Sequence, residues 1–282
     1  MHVTNLGGHS GCKILLCETD DEKLFVRKIA GDMNYNSRLK QQAEKQKAFH
    51  SEFVKTPKIF GSGYVGEVYY FDMEYISGIT LAEYMKSIQI GKIRGLVDSI
   101  VKSVISTGDS SCVVKTKVFK NKIASLKETL KDNASIKEAL GLLEKHSWSK
   151  FKQTFCHGDL TLENIIVKDG QLYYIDFLDS FYDSWIMDIS TLMQDVQTMW
   201  AYRFEKEKDV NTLLRLIVFR DILIDKVKEM VGRDYIEVYY ALLLKLIRIY
   251  PYTSDQETIS FLDGKVKSIM EIIRKEEEVC EP

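Results

Sequence analysis

The sequence predicts an α+β protein of two lobes. A small N-terminal antiparallel β-sheet lobe with one helix covers about residues 1–77, and a larger, mainly helical C-terminal lobe covers 78–282. Three observations predict this. Up to Ile76 the chain is dominated by short β-type runs, Ile14–Leu16, Leu24–Ala30 and Val68–Ile76, punctuated by polar or glycine-containing turns. From Leu81 onward, apolar residues recur mostly at helical spacing. Inside that helical stretch sits one pair of short β-type runs, Ile165-Ile166-Val167 and Leu172-Tyr173-Tyr174-Ile175. They are joined by Lys168-Asp169-Gly170-Gln171, and Asp-Gly is a strong hairpin signal.

In order, Gly7, Gly8 and Gly11 surround Ser10 ahead of the run Ile14–Leu16. Glycine lets a backbone approach an anion closely, with N–H groups free to point at it. No Gly-Lys-Ser/Thr ends this loop, which excludes a Walker A phosphate loop. The strand Leu24–Ala30 carries Arg27 and Lys28, which alternation sends to opposite faces, so only one can enter a cleft. Asn36–Phe53 is helical in pattern and contains Glu44. Val68–Ile76 is a long strand, Ser77-Gly78 breaks it, and Thr80 with Glu83 three residues on is an N-cap signal.

The stripe Leu81-Tyr84-Met85-Ile88 opens the helical lobe, and Leu96-Ile100-Val104 and Ile123-Leu126-Leu130 continue it. Thr107–Thr116 reads as a loop. A second helical block begins at Met187 and contains Val210–Val231, Tyr235–Tyr250 and Gln256–Lys275. Pro251 interrupts it, and Glu276–Glu278 reads as a solvated end.

Composition bounds the function. Among 282 residues, 39 basic and 41 acidic side chains give a net charge of −2, which argues against nucleic acid as a partner. No run of 18 apolar residues occurs, so a membrane partner is not expected. The five cysteines, Cys12, Cys17, Cys112, Cys156 and Cys280, are irregularly spaced without a C-x-x-C pair, which suggests neither zinc nor a disulfide framework. With no basic-then-apolar leader at the N-terminus, the expected compartment is the cytoplasm.

The chemistry is concentrated in Cys156–Ser180. His157-x-Asp159, with Asn164 five residues after the Asp, precedes the hairpin, and Asp176 follows it. A tight hairpin brings the two groups together. Two carboxylates and an amide converging there suit Mg²⁺, a hard cation that takes oxygen ligands and leaves positions for phosphate.

This pattern, H-x-D-x-x-x-x-N followed by a strand and Asp-Phe, resembles the catalytic and metal loops of kinases. The Gly after His157 is similar to the aminoglycoside phosphotransferase and choline kinase-like family, which has a protein-kinase-like fold. Protein kinases usually carry Arg there, DFG where this chain has Asp176-Phe177-Leu178-Asp179, and A-P-E further on. The resemblance implies an ATP-dependent kinase that phosphorylates a hydroxyl of a sugar, amino alcohol or aminoglycoside-like acceptor. The alternatives are a non-catalytic nucleotide-binding scaffold and an atypical protein kinase.

On this resemblance, Asp159 is the base, and Asn164 and Asp176 hold Mg²⁺. Gly8, Ser10 and Gly11 cover the triphosphate, and Lys28, preferred over Arg27, grips it with Glu44 bracing the lysine. Backbone groups near Glu74 and Ile76 bind adenine, Asp188 braces the catalytic loop, and His157 is architectural. Asp179, Trp185, Trp200 and Arg203 are the foremost acceptor candidates, with Asp183, Asp195, Tyr202 and Arg248 behind them. Acidic residues there suit an amine-bearing acceptor; Arg203 and Arg248 suit a phosphate or carboxylate.

Overall fold

A computed structural model describes residues 2–7, 11–106, 114–131, 133–205, 207 and 209–278. The first sheet has strands β1 (His2–Asn5), β2 (Cys12–Glu18), β3 (Leu24–Ala30), β4 (Ile59–Val65) and β5 (Val68–Glu74), in the spatial order β1-β2-β3-β5-β4 and antiparallel throughout. Strand β1 is exposed at every residue and carries no apolar pattern, so periodicity could not announce it.

Helix α1 (Asn36–Ala48) lies on this sheet. Its Leu39 and Ala43 join Val26, Ala30, Phe71 and Met73 in one apolar cluster. The helix stops five residues short of the predicted Phe53. Phe49 turns extended (φ −71°, ψ 126°) and places its ring 5.4–5.9 Å from those of Phe155, Tyr174 and Phe177. Burial of an aromatic ring outweighs the small gain from one more helical turn. Lys55 then pairs with the hairpin, its N–H on the Leu172 carbonyl (2.9 Å) and its carbonyl on the Tyr174 N–H (2.8 Å).

The second sheet is small: β6 (Ile79–Thr80), β7 (Ile165–Lys168) and β8 (Gln171–Tyr174) in that order. Thr80 caps the following turn as predicted, its Oγ1 accepting the Glu83 N–H at 3.2 Å. That turn, α2 (Leu81–Tyr84), is a single one. Leu81, Met85 and Ile88 are all buried, so the apolar period continues through a tightened segment and overstates the helix.

The remaining helices are α3 (Ile90–Ser106), α4 (Thr116–Thr129), α5 (Lys137–Lys145), α6 (Trp185–Thr198), α7 (Val210–Val231), α8 (Ile236–Ile247) and α9 (Gln256–Glu278). α8 is buried along almost its whole length and packs against both α6 and α9. The predicted loop at 107–116 lies largely outside the described residues. The predicted solvated end at Glu276–Glu278 is instead the last turn of α9, where Glu276 and Glu277 accept the hydroxyls of Tyr235 and Tyr240. Among the described residues, no helix is long and apolar enough to cross a membrane.

Candidate active site

The β7–β8 hairpin turns on Asp169 (φ 50°) and Gly170 (φ 78°), two left-handed residues of the kind that match strand twist. Its register pairs Ile165 with Tyr174, and the Ile175 N–H reaches the Asn164 carbonyl at 3.0 Å. The segments before and after the hairpin are thereby held side by side.

The loop carrying His157 and Asp159 is fixed from three directions. Asp188, on α6, accepts the backbone N–H groups of His157 (2.6 Å) and Gly158 (2.9 Å). Burial pushes the Asp188 carboxyl up to about 6, against those two hydrogen bonds. The His157 Nε2 lies 2.7 Å from the Ile175 carbonyl, which can only accept, so the ring carries its proton there. Its Nδ1 then accepts the Asp159 N–H at 3.3 Å. Burial lowers the His157 pKa to about 3, so the imidazole is neutral and architectural. Gly158 adopts φ 93°, and a Cβ on it would lie 2.1 Å from the Leu178 carbonyl oxygen. The two loops touch back to back at this glycine, which is a physical reason for its lack of a side chain.

Asp159, Asn164, Asp176 and Lys28 are gathered around this support. Asn164 Nδ2 donates to the Asp159 carbonyl (2.8 Å) and to its Oδ2 (3.3 Å). Asp176 takes a left-handed φ of 59°, costly for a non-glycine residue. Its Oδ1 meets the Lys28 Nζ at 3.0 Å, and the same Nζ meets Gln42 Oε1 at 3.2 Å. Lys28 is only 1% exposed. Arg27 faces the other way, bidentate to Asp72 (2.7 and 2.8 Å) and stacked 4.3 Å from the Tyr70 ring centre. Of the two cations, Lys28 is the one that reaches Asp176.

The donor set fits a magnesium ion. With its amide nitrogen turned to Asp159, Asn164 presents Oδ1 as an acceptor, and Asp176 retains Oδ2 beside the oxygen taken by Lys28. Among the described residues no three His, Cys, Asp or Glu side chains cluster as a metal site. One carboxylate and one amide must therefore be completed by phosphate and water, the usual pattern for Mg²⁺.

Several predicted residues stand elsewhere. Glu44 needs correction: it is exposed and pairs with Lys47 at 2.9 Å, while Gln42 takes the place beside Lys28. Gly8 and Ser10 lie outside the described residues. The Gly11 carbonyl accepts the Gly31 N–H at 2.9 Å, tying that loop to the end of β3. The Glu74 N–H is taken by the Lys58 carbonyl and the Ile76 carbonyl accepts from Gly78, while no group among the described residues takes the Ile76 N–H.

On the acceptor side, Asp179 is exposed at the metal loop. The other three candidates have different employment. Trp185, the first residue of α6, donates its backbone N–H to Thr154 Oγ1 at 2.7 Å and packs its side chain, partly buried, against the helical core. Trp200 packs on Phe261, and Arg203 stacks on Trp200 at 4.0 Å. No hydrogen bond or ring contact among the described residues joins these three to Asp159, Asn164 or Asp176.

Gln42, Lys45 and Lys245 join the site without having been expected from the sequence. Lys45 Nζ donates to the Leu178 carbonyl (2.8 Å) and pairs with Asp183 (2.9 Å), bridging α1 to the metal loop. Lys245 Nζ, on α8, sits 3.9 Å from Asp159 Oδ1. A signal existed for the first two: Gln42 and Lys45 are three apart on the helix face that also buries Leu39 and Gln46, whereas Glu44 falls on the opposite face.

Comparison with known proteins agrees with this geometry. The family model of the phosphotransferase enzyme family APH matches residues 114–216. No curated protein matches the chain in sequence. Among solved structures, a thermostable mutant of aminoglycoside phosphotransferase APH(4)-Ia in its apo form superposes with a TM-score of 0.64 at 11% identity, covering 98% of this chain and 94% of that one. The streptomycin–ATP ternary complex of APH(2")-IIa gives 0.60 at 16% identity, covering 96% and 91%. Amicoumacin kinase hAmiN in complex with AMP-PNP, Ca²⁺ and Ami gives 0.61 at 14%, covering 95% and 87%. The segment that carries His157, Asp159, Asn164, Asp176 and Asp188 thus matches the phosphotransferase enzyme family, and the chain as a whole is similar in fold to the aminoglycoside phosphotransferases.

Proposed function

We propose that this protein is an ATP-dependent small-molecule kinase that transfers the γ-phosphoryl group of ATP to a hydroxyl. The observation that carries this is the meeting of Lys28 with Asp176, which follows the hairpin and is held beside the segment in which Asp159 is hydrogen-bonded to Asn164. Phosphoryl transfer asks mainly for positioning and charge compensation, and these residues divide the task. Lys28 neutralises the α- and β-phosphates. Gly11 covers them, and the Ile76 N–H receives the adenine. Asn164 and Asp176 would hold Mg²⁺, which would supply charge neutralisation for the triphosphate. Asp159 orients the acceptor hydroxyl and takes its proton as the new O–P bond forms and the bridging O–P bond to ADP breaks.

The solved structures of the same fold that hold streptomycin or amicoumacin beside a nucleotide support a small-molecule acceptor. The test is Mg²⁺-dependent ADP formation over a panel of sugars, amino alcohols and aminoglycosides, with product mass as the second readout. A thermal melt gives the first step alone. Mg·ATP at about a hundred times its dissociation constant should add roughly 2.7 kcal/mol of stability, and ATP without Mg²⁺ should add little. No Mg²⁺-dependent shift sinks the proposal.

A further inference from the structure

We propose that the acceptor carries an anionic group, a carboxylate or a phosphate ester, held by Arg248 and Lys245 beside the catalytic base. This rests on the kinase reading above and narrows it. Lys245 and Arg248 lie three residues apart at the C-terminal end of α8, hence on one side of it. Lys245 Nζ faces Asp159 Oδ1 at 3.9 Å, too far for a hydrogen bond, with its side chain only 15% exposed. The Arg248 guanidinium lies 4.5 Å from the ring centre of Phe181, five residues beyond Asp176. Phe181 in turn meets Phe119 of α4, and Lys122 stands one turn further along that helix.

Two cations at the end of α8 thus approach one carboxylate, and Lys122 of α4 lies close enough to sense Arg248. They sense one another: after burial, the charge of Arg248 is a cause that lowers the pKa of both Lys122 and Lys245. Among the described residues, neither Arg248 nor Lys122 has an ion-pair partner, and that of Lys245 is Asp159 alone. The other buried carboxylates that Lys245 senses accept backbone amides of the loop beside it. Asp188 holds the His157 and Gly158 amides, and Asp195 holds the Leu162 amide at 2.7 Å. By contrast, Lys28, Arg27 and Lys45 all have carboxylates at 2.7–3.0 Å.

A half-buried guanidinium stacked on an aromatic ring, with its donors unmatched by a carboxylate, is the arrangement that binds a planar or tetrahedral oxyanion. An amine-bearing acceptor would add positive charge to three cations. An anionic one completes them, and places its hydroxyl beside Asp159.

The experiment compares matched acceptors with Mg·ATP: sugar monophosphates and hydroxy acids against the uncharged sugars, amino alcohols and an aminoglycoside. An anionic acceptor should exceed its uncharged counterpart by roughly a hundredfold in kcat/KM, and Arg248→Gln should remove at least about tenfold of that preference. The two anionic series distinguish phosphate from carboxylate. Phosphorylation of uncharged or cationic compounds with no preference for anionic ones overturns the proposal and leaves the kinase reading intact.

A binding arm covers the case in which the panel lacks the acceptor. Inorganic phosphate and malate are titrated into protein loaded with Mg²⁺ and AMP-PNP. Saturable binding of one of them, weakened about tenfold in Arg248→Gln and partly restored in Arg248→Lys, is expected. A wild-type protein that binds neither, or an Arg248→Gln variant that binds as tightly, overturns the proposal. Failure to bind Mg·ATP at all overturns the kinase reading, and the proposal with it.

Discussion

Asp159 has two neighbours that fix what it can do. Asn164 holds one carboxylate oxygen, and Lys245 approaches the other without bonding it. A carboxylate steadied at one oxygen and open at the other can receive a proton from a hydroxyl. Asp159→Asn keeps the shape and removes the base. It should lower kcat by about 10²–10⁴ with nucleotide affinity near that of the wild type, because Lys28, not Asp159, meets the metal-loop aspartate. Single-turnover kinetics beside a nucleotide titration separates the two effects; lost nucleotide binding would make Asp159 structural.

The adjacent pair on β3 gives the converse test. Lys28→Ala should impair turnover far more than Arg27→Ala, whose partner Asp72 lies on the other face of the sheet; equal losses in steady-state assays would refute the assignment. Residues fixed by short sequence spacing, such as Asp159, Asn164 and Asp176, were legible because a hairpin alone brings them together. Lys245 was not, since it reaches Asp159 only when α8 docks far along the chain; Gln42 and Lys45 lay on a readable buried helix face, but their partners Lys28 and Leu178 follow only from packing.

At the scale of elements, the catalytic and metal loops form one unit closed at Gly158. The Leu178 N–H donates to the His157 carbonyl at 3.0 Å, so the loops cannot separate to admit a side chain. Gly170 supplies a control, with a left-handed φ of 78° and open space around it. Gly170→Ala should cost about 1–2 kcal/mol, the penalty of a left-handed L-residue. Gly158→Ala bears that penalty and a backbone clash, so it should cost about 3 kcal/mol or more and depress turnover as well. Urea titrations of both variants decide it; equal losses would mean that the clash relaxes freely.

Most elements were legible for a related reason. Val210–Val231 and Leu24–Ala30 were predicted at the bounds observed, because periodicity and local breakers agree there. Where they disagree, tertiary burial decided: Phe49 leaves α1 to reach an aromatic cluster, and Met85 and Ile88 keep a helical period outside a helix.

In the whole molecule, the sheet lobe is clamped to the helical one by Lys28–Asp176 and by Lys45–Asp183, and the helical side concentrates its buried charge beneath the catalytic loop. Asp195 is the most informative of these charges. Its Oδ2 accepts the Leu162 N–H, its Oδ1 is buried without a hydrogen-bond partner among the described residues, and burial pushes its pKa up to about 7. The sign follows from linkage. A carboxyl whose folded pKa exceeds its unfolded value of 3.8 binds protons more readily in the folded state. Stability is therefore lost as pH rises from the unfolded pKa to the folded one, and the loss is complete above it.

Asp195→Asn removes that titration. Its buried amide hydrogens add a constant cost, but a constant cost has no slope. Between pH 5 and 7 the stability of Asp195→Asn relative to wild type should therefore rise by about 2 kcal/mol in all, with a slope of up to about 1.4 kcal/mol per pH unit that halves by pH 7, levelling above pH 8. Asp188 and His157 titrate in both proteins and cancel from the difference. Chemical denaturation at pH 5, 6, 7 and 8 measures it. A difference that stays flat across this range would show that Asp195 carries its charge in the core at no cost, through a partner other than the Leu162 amide.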